Sequence, residues 1–190
     1  MHSASFYLKF PIIIHLLISL LMISTLSAAP KRHVVENPNI KMIVIPRTAQ
    51  QMAAFYEGRE FPTKAIKATR NACFFTIGIH NKTKSILWLE QSNWSFTTDT
   101  KQIMPISRND WKQHWQELQL PQRFQSTFRW TLLPGELDFH PDEREGGNIT
   151  LPRSDASFTL TARFATQADK QGKPVTVSFD NLRCAREDTP

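Results

Sequence analysis

The stretch Cys73-Phe74-Phe75-Thr76-Ile77-Gly78-Ile79 decides the fold, because its apolar, aromatic and β-branched residues are typical of a buried strand. It contains one of the two cysteines, and the other, Cys184, follows a second apolar run at residues 175–179. Two cysteines in an exported chain most often pair with each other. We therefore expect a disulfide that joins the first and last strands of one β-domain, with free or intermolecular thiols as the alternative.

Residues 1–29 are predicted to be a secretory signal peptide. Lys9 precedes a long apolar run at residues 12–26, and small residues at 27–29 follow it. A membrane-spanning helix needs about 20 apolar residues, and this run is shorter. We expect a periplasmic or secreted protein with no stable membrane span after cleavage. An uncleaved anchor is the alternative.

Length and charge limit the possible classes of protein. The rest of the 190-residue chain is long enough for one domain with its own core. Lys and Arg number 23 against 17 Asp and Glu, so the chain is only modestly basic. A charge of this size, spread over many segments of an exported chain, does not predict a nucleic-acid partner. An envelope protein or surface component is the expected partner.

The N-terminal part of the mature chain is predicted to contain little β-structure. Residues 30–46 form an extended lead-in, whose short apolar run ends in a proline and adds at most an edge strand. Residues 47–72 are predicted to be a helical pair packed on the β-domain. Thr48 and Gln51 fit a capping box, and Gly58 is expected to end the first helix in a left-handed conformation.

Residues 73–186 contain short alternating segments separated by turn residues, and residues 187–190 are a tail. Residues 107–118 interrupt this rhythm with a helical stripe, which Ser107 and Asp110 open with a capping-box pattern. Residues 124–133 resume the rhythm as a predicted strand. The predicted fold is mainly β: an immunoglobulin-like antiparallel β-sandwich with an N-terminal helical pair and one helix inserted between strands.

Two stretches resemble exported proteins of proteobacteria for which no activity is established. They are Arg47-Thr48-x-x-Gln51-Met52-Ala53-Ala54-Phe55-Tyr56-Glu57 and the segment from Ser126-Thr127-Phe128-Arg129-Trp130 to Asn148-Ile149-Thr150-Leu151-Pro152. The β-part is also loosely similar to telokin-like or immunoglobulin-like secreted modules, in which a turn such as Asn81-Lys82-Thr83 follows the first strand. The resemblance implies a periplasmic location and no named activity, since fold does not determine function.

The inserted helix provides one candidate site. Trp111, His114 and Trp115 recur at i, i+3 and i+4, and basic residues lie nearby. Exposed aromatic side chains beside cations could stack on a sugar or bind a partner protein. The alternative is that this face packs the helix onto the β-domain.

The second candidate is a metal site at residues 138–145. Asp138, His140 and Asp142 alternate and would share one face of an extended segment, with Glu145 following in the turn. Carboxylate oxygens and one imidazole suit a divalent cation. The alternative is a solvated hairpin end.

No catalytic grouping is recognisable, since the chain has no Gly-x-Ser-x-Gly elbow and both cysteines are expected to be oxidised. We predict a non-enzymatic periplasmic binding or assembly module that acts by surface recognition and needs no cofactor. A ligand-binding or divalent-metal-binding protein using the 138–145 loop is the second hypothesis. A hydrolase with a site assembled from distant residues is the third.

Overall fold

A computed structural model describes residues 31–187, and the predicted signal peptide and residues 188–190 of the predicted tail lie outside it. The strands are β1 (His33–Glu36), β2 (Ile40–Arg47), β3 (Ala72–Asn81), β4 (Leu87–Glu90), β5 (Ser95–Thr97), β6 (Glu136–Phe139), β7 (Arg144–Pro152), β8 (Phe158–Ala165) and β9 (Val175–Leu182). The helices are α1 (Ala49–Glu57), α2 (Thr63–Arg70), α3 (Arg108–Glu117) and α4 (Gln122–Thr131). The described chain is therefore mainly β, with two antiparallel sheets and four helices.

The first sheet has the strand order β1-β2-β3-β7. β2 pairs with β1 on one side and with β3 on the other, so it is an interior strand. The expectation of an extended lead-in that adds at most an edge strand is wrong. Ile40, Met42 and Val44 alternate with less buried residues, so one face of β2 enters the core while both of its edges pair with neighbouring strands.

The second sheet is built around β8. β9 pairs with one side of β8, and β4 and β5 both pair with the other side. A short 3-10 turn at Gln91–Asn93 separates β4 from β5, so the two act as one interrupted strand. β6 extends the sheet beyond β4.

A large apolar core contains side chains from both sheets, among them Phe75 and Ile77 of β3 and Leu160 and Phe164 of β8. The predicted disulfide between Cys73 and Cys184 is confirmed, with Cα atoms 5.4 Å apart. It connects β3 of the first sheet to the segment after β9 of the second, so it starts from the third strand and not from the first as expected.

The four helices share a second core, which lies on the other face of the start of β3. Ala72 and Phe74 of β3 belong to this helical core, whereas Cys73 and Phe75 belong to the core that contains both sheets. α1 and α2 connect β2 to β3, and α3 and α4 connect β5 to β6.

The predicted strand at residues 124–133 is wrong, because most of this segment is α4. Its sequence fits both periods: Phe124, Phe128 and Trp130 alternate, and the two phenylalanines are also separated by one helical turn. The helix places both phenylalanines in the helical core and leaves Trp130 outside it.

Local sequence signals determine the helix starts. Both capping boxes form, with Thr48 and Gln51 at α1 and with Ser107 and Asp110 at α3. The expected left-handed stop at Gly58 is wrong, because its φ is −62°. Residue Glu60 adopts the positive φ instead, at 59°.

Asn81, at the end of β3, is fully buried and joins three segments. Its side-chain amide donates to the carbonyl oxygens of Ser85, Phe139 and His140, and its Oδ1 accepts from the backbone and hydroxyl of Thr83. Buried polar groups require such partners, so this residue fixes the turn after β3 against the end of β6.

Glu36 holds the edge strand β1 in place. Its two carboxylate oxygens each lie 2.8 Å from a lysine Nζ, one on Lys41 of β2 and one on Lys82 after β3. These hydrogen bonds lower the pKa of Glu36 from its ordinary value of 4.5 to about 2.

We expect the Glu36 pairs to make the protein acid-sensitive. A depressed pKa contributes stability that is present above pH 4.5 and is lost as the pH falls toward about 2. In Glu36→Gln, the urea midpoint should therefore decrease less between these two pH values than in the wild type. Glu136→Gln, which changes an exposed carboxylate on β6, is the control. Identical acid profiles for the wild type and Glu36→Gln would contradict the prediction.

Reduction of the disulfide should destabilise the whole β-part. A sequence separation of 111 residues corresponds to a contribution of roughly 4–5 kcal/mol on the chain-entropy model. The melting temperature of the wild type should decrease when reductant is added, and that of Cys73→Ala/Cys184→Ala should be low and independent of reductant. Equal melting temperatures for the wild type with and without reductant would show that the bond does not stabilise the fold.

Candidate functional site

The aromatic face of α3 packs against the protein instead of facing solvent. Trp111 and Trp115 are only 4% and 1% exposed, and their rings stack at 4.9 Å. The Trp111 indole donates a 2.8 Å hydrogen bond to the Thr150 hydroxyl of β7. His114 is half-exposed beside Glu117. The prediction that the two indole rings face a partner is therefore wrong. The rings pack α3 against β7 and α4 instead.

The four residues of the predicted metal site do not converge. Asp138 lies on β6 opposite Trp88, whereas Asp142 accepts a 2.6 Å hydrogen bond from His80, an interaction that lowers the pKa of Asp142. The backbone N–H of His140 donates to Glu143, and Glu145 lies on β7. Among residues 31–187, no three His, Cys, Asp or Glu side chains are grouped to hold a metal ion. The prediction of a cation site is therefore wrong, because the turn places the carboxylate of Asp142 against β3.

A groove between α3 and α4 is the strongest candidate site. Its volume is about 420 Å³, which lies within the usual range for ligand pockets. The aromatic rings of the helical core form part of its lining, and polar side chains from both helices form the rest. The polar lining residues are Arg108, Asn109, Lys112, Gln116, Gln122, Gln125, Ser126 and Arg129.

The groove is electropositive. Its lining includes Arg108, Lys112 and Arg129 but no carboxylate. Burial lowers the pKa of Arg108, and the positive charge of Arg129 lowers it further. A partly desolvated cation thus lies near a second, exposed one, an arrangement that an anion would stabilise.

Two buried nitrogen atoms in the groove lining lack a hydrogen-bond partner within residues 31–187. They are Nε of Arg108 and Nε1 of Trp115. Another nitrogen of Arg108, Nη2, donates to the carbonyl oxygen of Leu132 at 2.6 Å, so the guanidinium is fixed while its Nε remains unused. Buried unpaired donors are rare and call for an explanation.

Trp130 is the most exposed large apolar side chain of the described residues, at 86% exposure. It lies near the end of α4, next to Arg129 of the groove. The other four tryptophans are buried or half-buried. The prediction of a strand at residues 124–133 did not indicate that Trp130 is exposed. Helical spacing does indicate it, because Trp130 lies on the opposite side of the helix from Phe124 and Phe128.

A second depression, of about 510 Å³, lies over Gly78 on the outer face of the first sheet and has both acids and bases in its lining. Its Glu36 is paired with Lys41, and its His80 is paired with Asp142. The α3–α4 groove differs because its cations have no such partners.

Comparison with known proteins leaves the family open. No family model and no curated protein matches the chain, so the resemblance to exported proteobacterial proteins or telokin-like modules gains no support. A crystal structure of YcdA from Bacillus subtilis subsp. subtilis str. 168, named as a lipoprotein, is similar with a TM-score of 0.41 and 12% identity. The match covers 78% of this chain and 38% of YcdA. A similarity of this size does not establish a shared fold.

One observation bears on the compartment. A disulfide between distant cysteines is typical of exported proteins. Within the described range 31–187, no helix is long and apolar enough to cross a bilayer.

A matched pair of substitutions separates the buried tryptophans from the exposed one. Trp115→Ala should lower the free energy of unfolding by about 3–5 kcal/mol, because it leaves a cavity in the helical core. Trp130→Ala should change it by no more than about 0.5 kcal/mol, because this side chain is exposed. Urea denaturation measures both values. A small cost at Trp115 would contradict its placement in the core.

Proposed function

We propose that the protein is a non-enzymatic binding module of the periplasm that recognises an envelope protein or surface component through its helical layer. The observation that carries this proposal is Trp130, a fully presented indole on a well-anchored helix. Tryptophan is enriched among the residues that dominate binding energy at interfaces.

The anchoring of α4 supports this role. Phe124 and Phe128 are buried in the helical core, and the hydroxyl of Thr131 hydrogen-bonds that of Tyr56 on α1 at 2.9 Å. The backbone of Leu133, after the helix, donates to the carbonyl oxygen of Asn148 on β7. Trp130 is thus presented by a rigid element, which lowers the entropy cost of binding.

The strand order supports an immunoglobulin-like topology for the β-part. If β1 is set aside and β4–β5 is counted as one interrupted strand, seven successive strands remain. The first sheet has the first, second and fifth of these strands, and the second sheet has the other four. A constant-type immunoglobulin sandwich divides its strands in the same way, except that its fourth strand lies in the first sheet. Many cell-surface modules use this architecture.

The chemistry of the groove beside Trp130 also favours binding. Its charged lining residues are arginines and a lysine, which suit recognition of charge better than proton transfer near neutral pH. A periplasmic location is part of the proposal, supported by the disulfide and by the predicted signal peptide.

Retention of envelope components on the immobilised protein tests the proposal. The wild type should retain a defined set of components above empty resin, and Trp130→Ala should retain at least about tenfold less, the scale of an interface hot spot. Val34→Ala is the matched control, because Val34 is an exposed apolar residue on β1, at the opposite edge of the first sheet from β7. This variant should behave like the wild type.

Two results would contradict the proposal. One is that the wild type retains no component above empty resin. The other is that Trp130→Ala and the wild type retain the same components equally well.

A further inference from the structure

We infer that the α3–α4 groove is a binding site for an oxyanion, a phosphate or carboxylate group, held by the guanidinium groups of Arg108 and Arg129. The inference does not depend on Trp130 or on the partner proposed for it. It rests on the cations and the shape of the groove.

The cations of the groove share one concave surface, and no carboxylate of residues 31–187 forms an ion pair with them. Ion pairs in residues 31–187 join Lys41 and Lys82 to Glu36, Arg70 to Glu57, Lys170 to Glu90, Arg144 to Asp142, and Arg186 to Asp155. None of these pairs involves Arg108, Lys112 or Arg129. Three cations therefore converge on one concave surface without an acid, and an anionic ligand would compensate their charge.

Arginine is suited to this role, because its planar guanidinium binds phosphate or carboxylate oxygens in a two-pronged geometry. Arg108 is held by its 2.6 Å hydrogen bond to Leu132, whereas Arg129 is exposed. One donor group is thus fixed in advance, and the other is free to close on the ligand.

Trp115 is a reporter in the lining of the groove. It is 99% buried, and its indole N–H has no partner in residues 31–187. The indole N–H of Trp111, in the same core, is bonded to Thr150. The nitrogen of Trp115 is enclosed by protein, so an anion in the groove would change its surroundings without touching it.

The groove has room for more than an isolated ion. A volume of about 420 Å³ accommodates a small organic anion or the headgroup of an anionic lipid. Amide side chains at Gln116, Gln122 and Gln125 add donors and acceptors for the rest of such a ligand.

Titration followed by NMR tests the inference directly. The indole N–H resonances of ¹⁵N-labelled protein are recorded with increasing inorganic phosphate, and separately acetate, at constant ionic strength. The indole resonance that is absent from the spectrum of Trp115→Phe belongs to Trp115. This resonance should shift during the titration, and the shift should saturate. Arg129→Gln should weaken binding roughly tenfold, because a charge-assisted hydrogen bond contributes about that much. Arg129 is exposed, so this variant should remain folded.

Arg123→Gln is the matched control. It removes the same charge from the same helix, but Arg123 lies over the Phe124 ring and outside the groove lining. Its affinity for phosphate should equal that of the wild type. Two results would overturn the inference. One is that phosphate, acetate and vesicles all fail to give a saturating shift. The other is that Arg129→Gln and Arg123→Gln have the same affinity for phosphate.

Lipid vesicles distinguish two possible sources of the oxyanion, a lipid headgroup and a small soluble molecule. If phosphatidylglycerol vesicles bind the protein and shift the Trp115 signal while phosphatidylcholine vesicles do not, the group belongs to a lipid. If free phosphate saturates the site and vesicles do not bind, it belongs to a small soluble molecule. Both outcomes support an oxyanion site.

Discussion

Burial of β3 on both faces is the constraint on which the rest of the structure depends. At its start, Cys73 and Phe75 enter the core that contains both sheets, and Ala72 and Phe74 enter the helical core. A buried phenylalanine contributes about 1.5–3 kcal/mol, which is a large share of the net stability of a domain. Neither the helices nor the sheets can therefore complete their packing without this strand.

Besides β3, the helical layer contacts the first sheet through β7. Thr150 accepts the Trp111 hydrogen bond, and the chain after α4 passes so close to Gly147 that any side chain there would collide with the Leu133 backbone. These contacts determine where α3 and α4 lie, and their separation creates the groove. The glycine is thus needed for the position of the candidate site as well as for the sheet.

Local signals in the sequence were sufficient for some elements and insufficient for others. The capping boxes at Thr48 and Ser107 predicted α1 and α3, because each box depends on residues only three positions apart. α4 was missed because Phe124 and Phe128 fit a strand and a helix equally, and only packing against the helical core decides between them. The groove was also missed, since Arg108 and Arg129 meet only when two helices pack together.

The disulfide also determines how the chain would respond to tension. A force applied to the two ends of the described chain passes directly through the bond between Cys73 and Cys184. The residues between them, including β4 to β9 and both groove helices, lie outside this path. Only the segments outside the loop would extend, so β1, β2, α1 and α2 would be pulled away. Because α1 and α2 share the helical core with α3 and α4, that core and the first sheet would open first, while the second sheet stayed closed inside the disulfide loop.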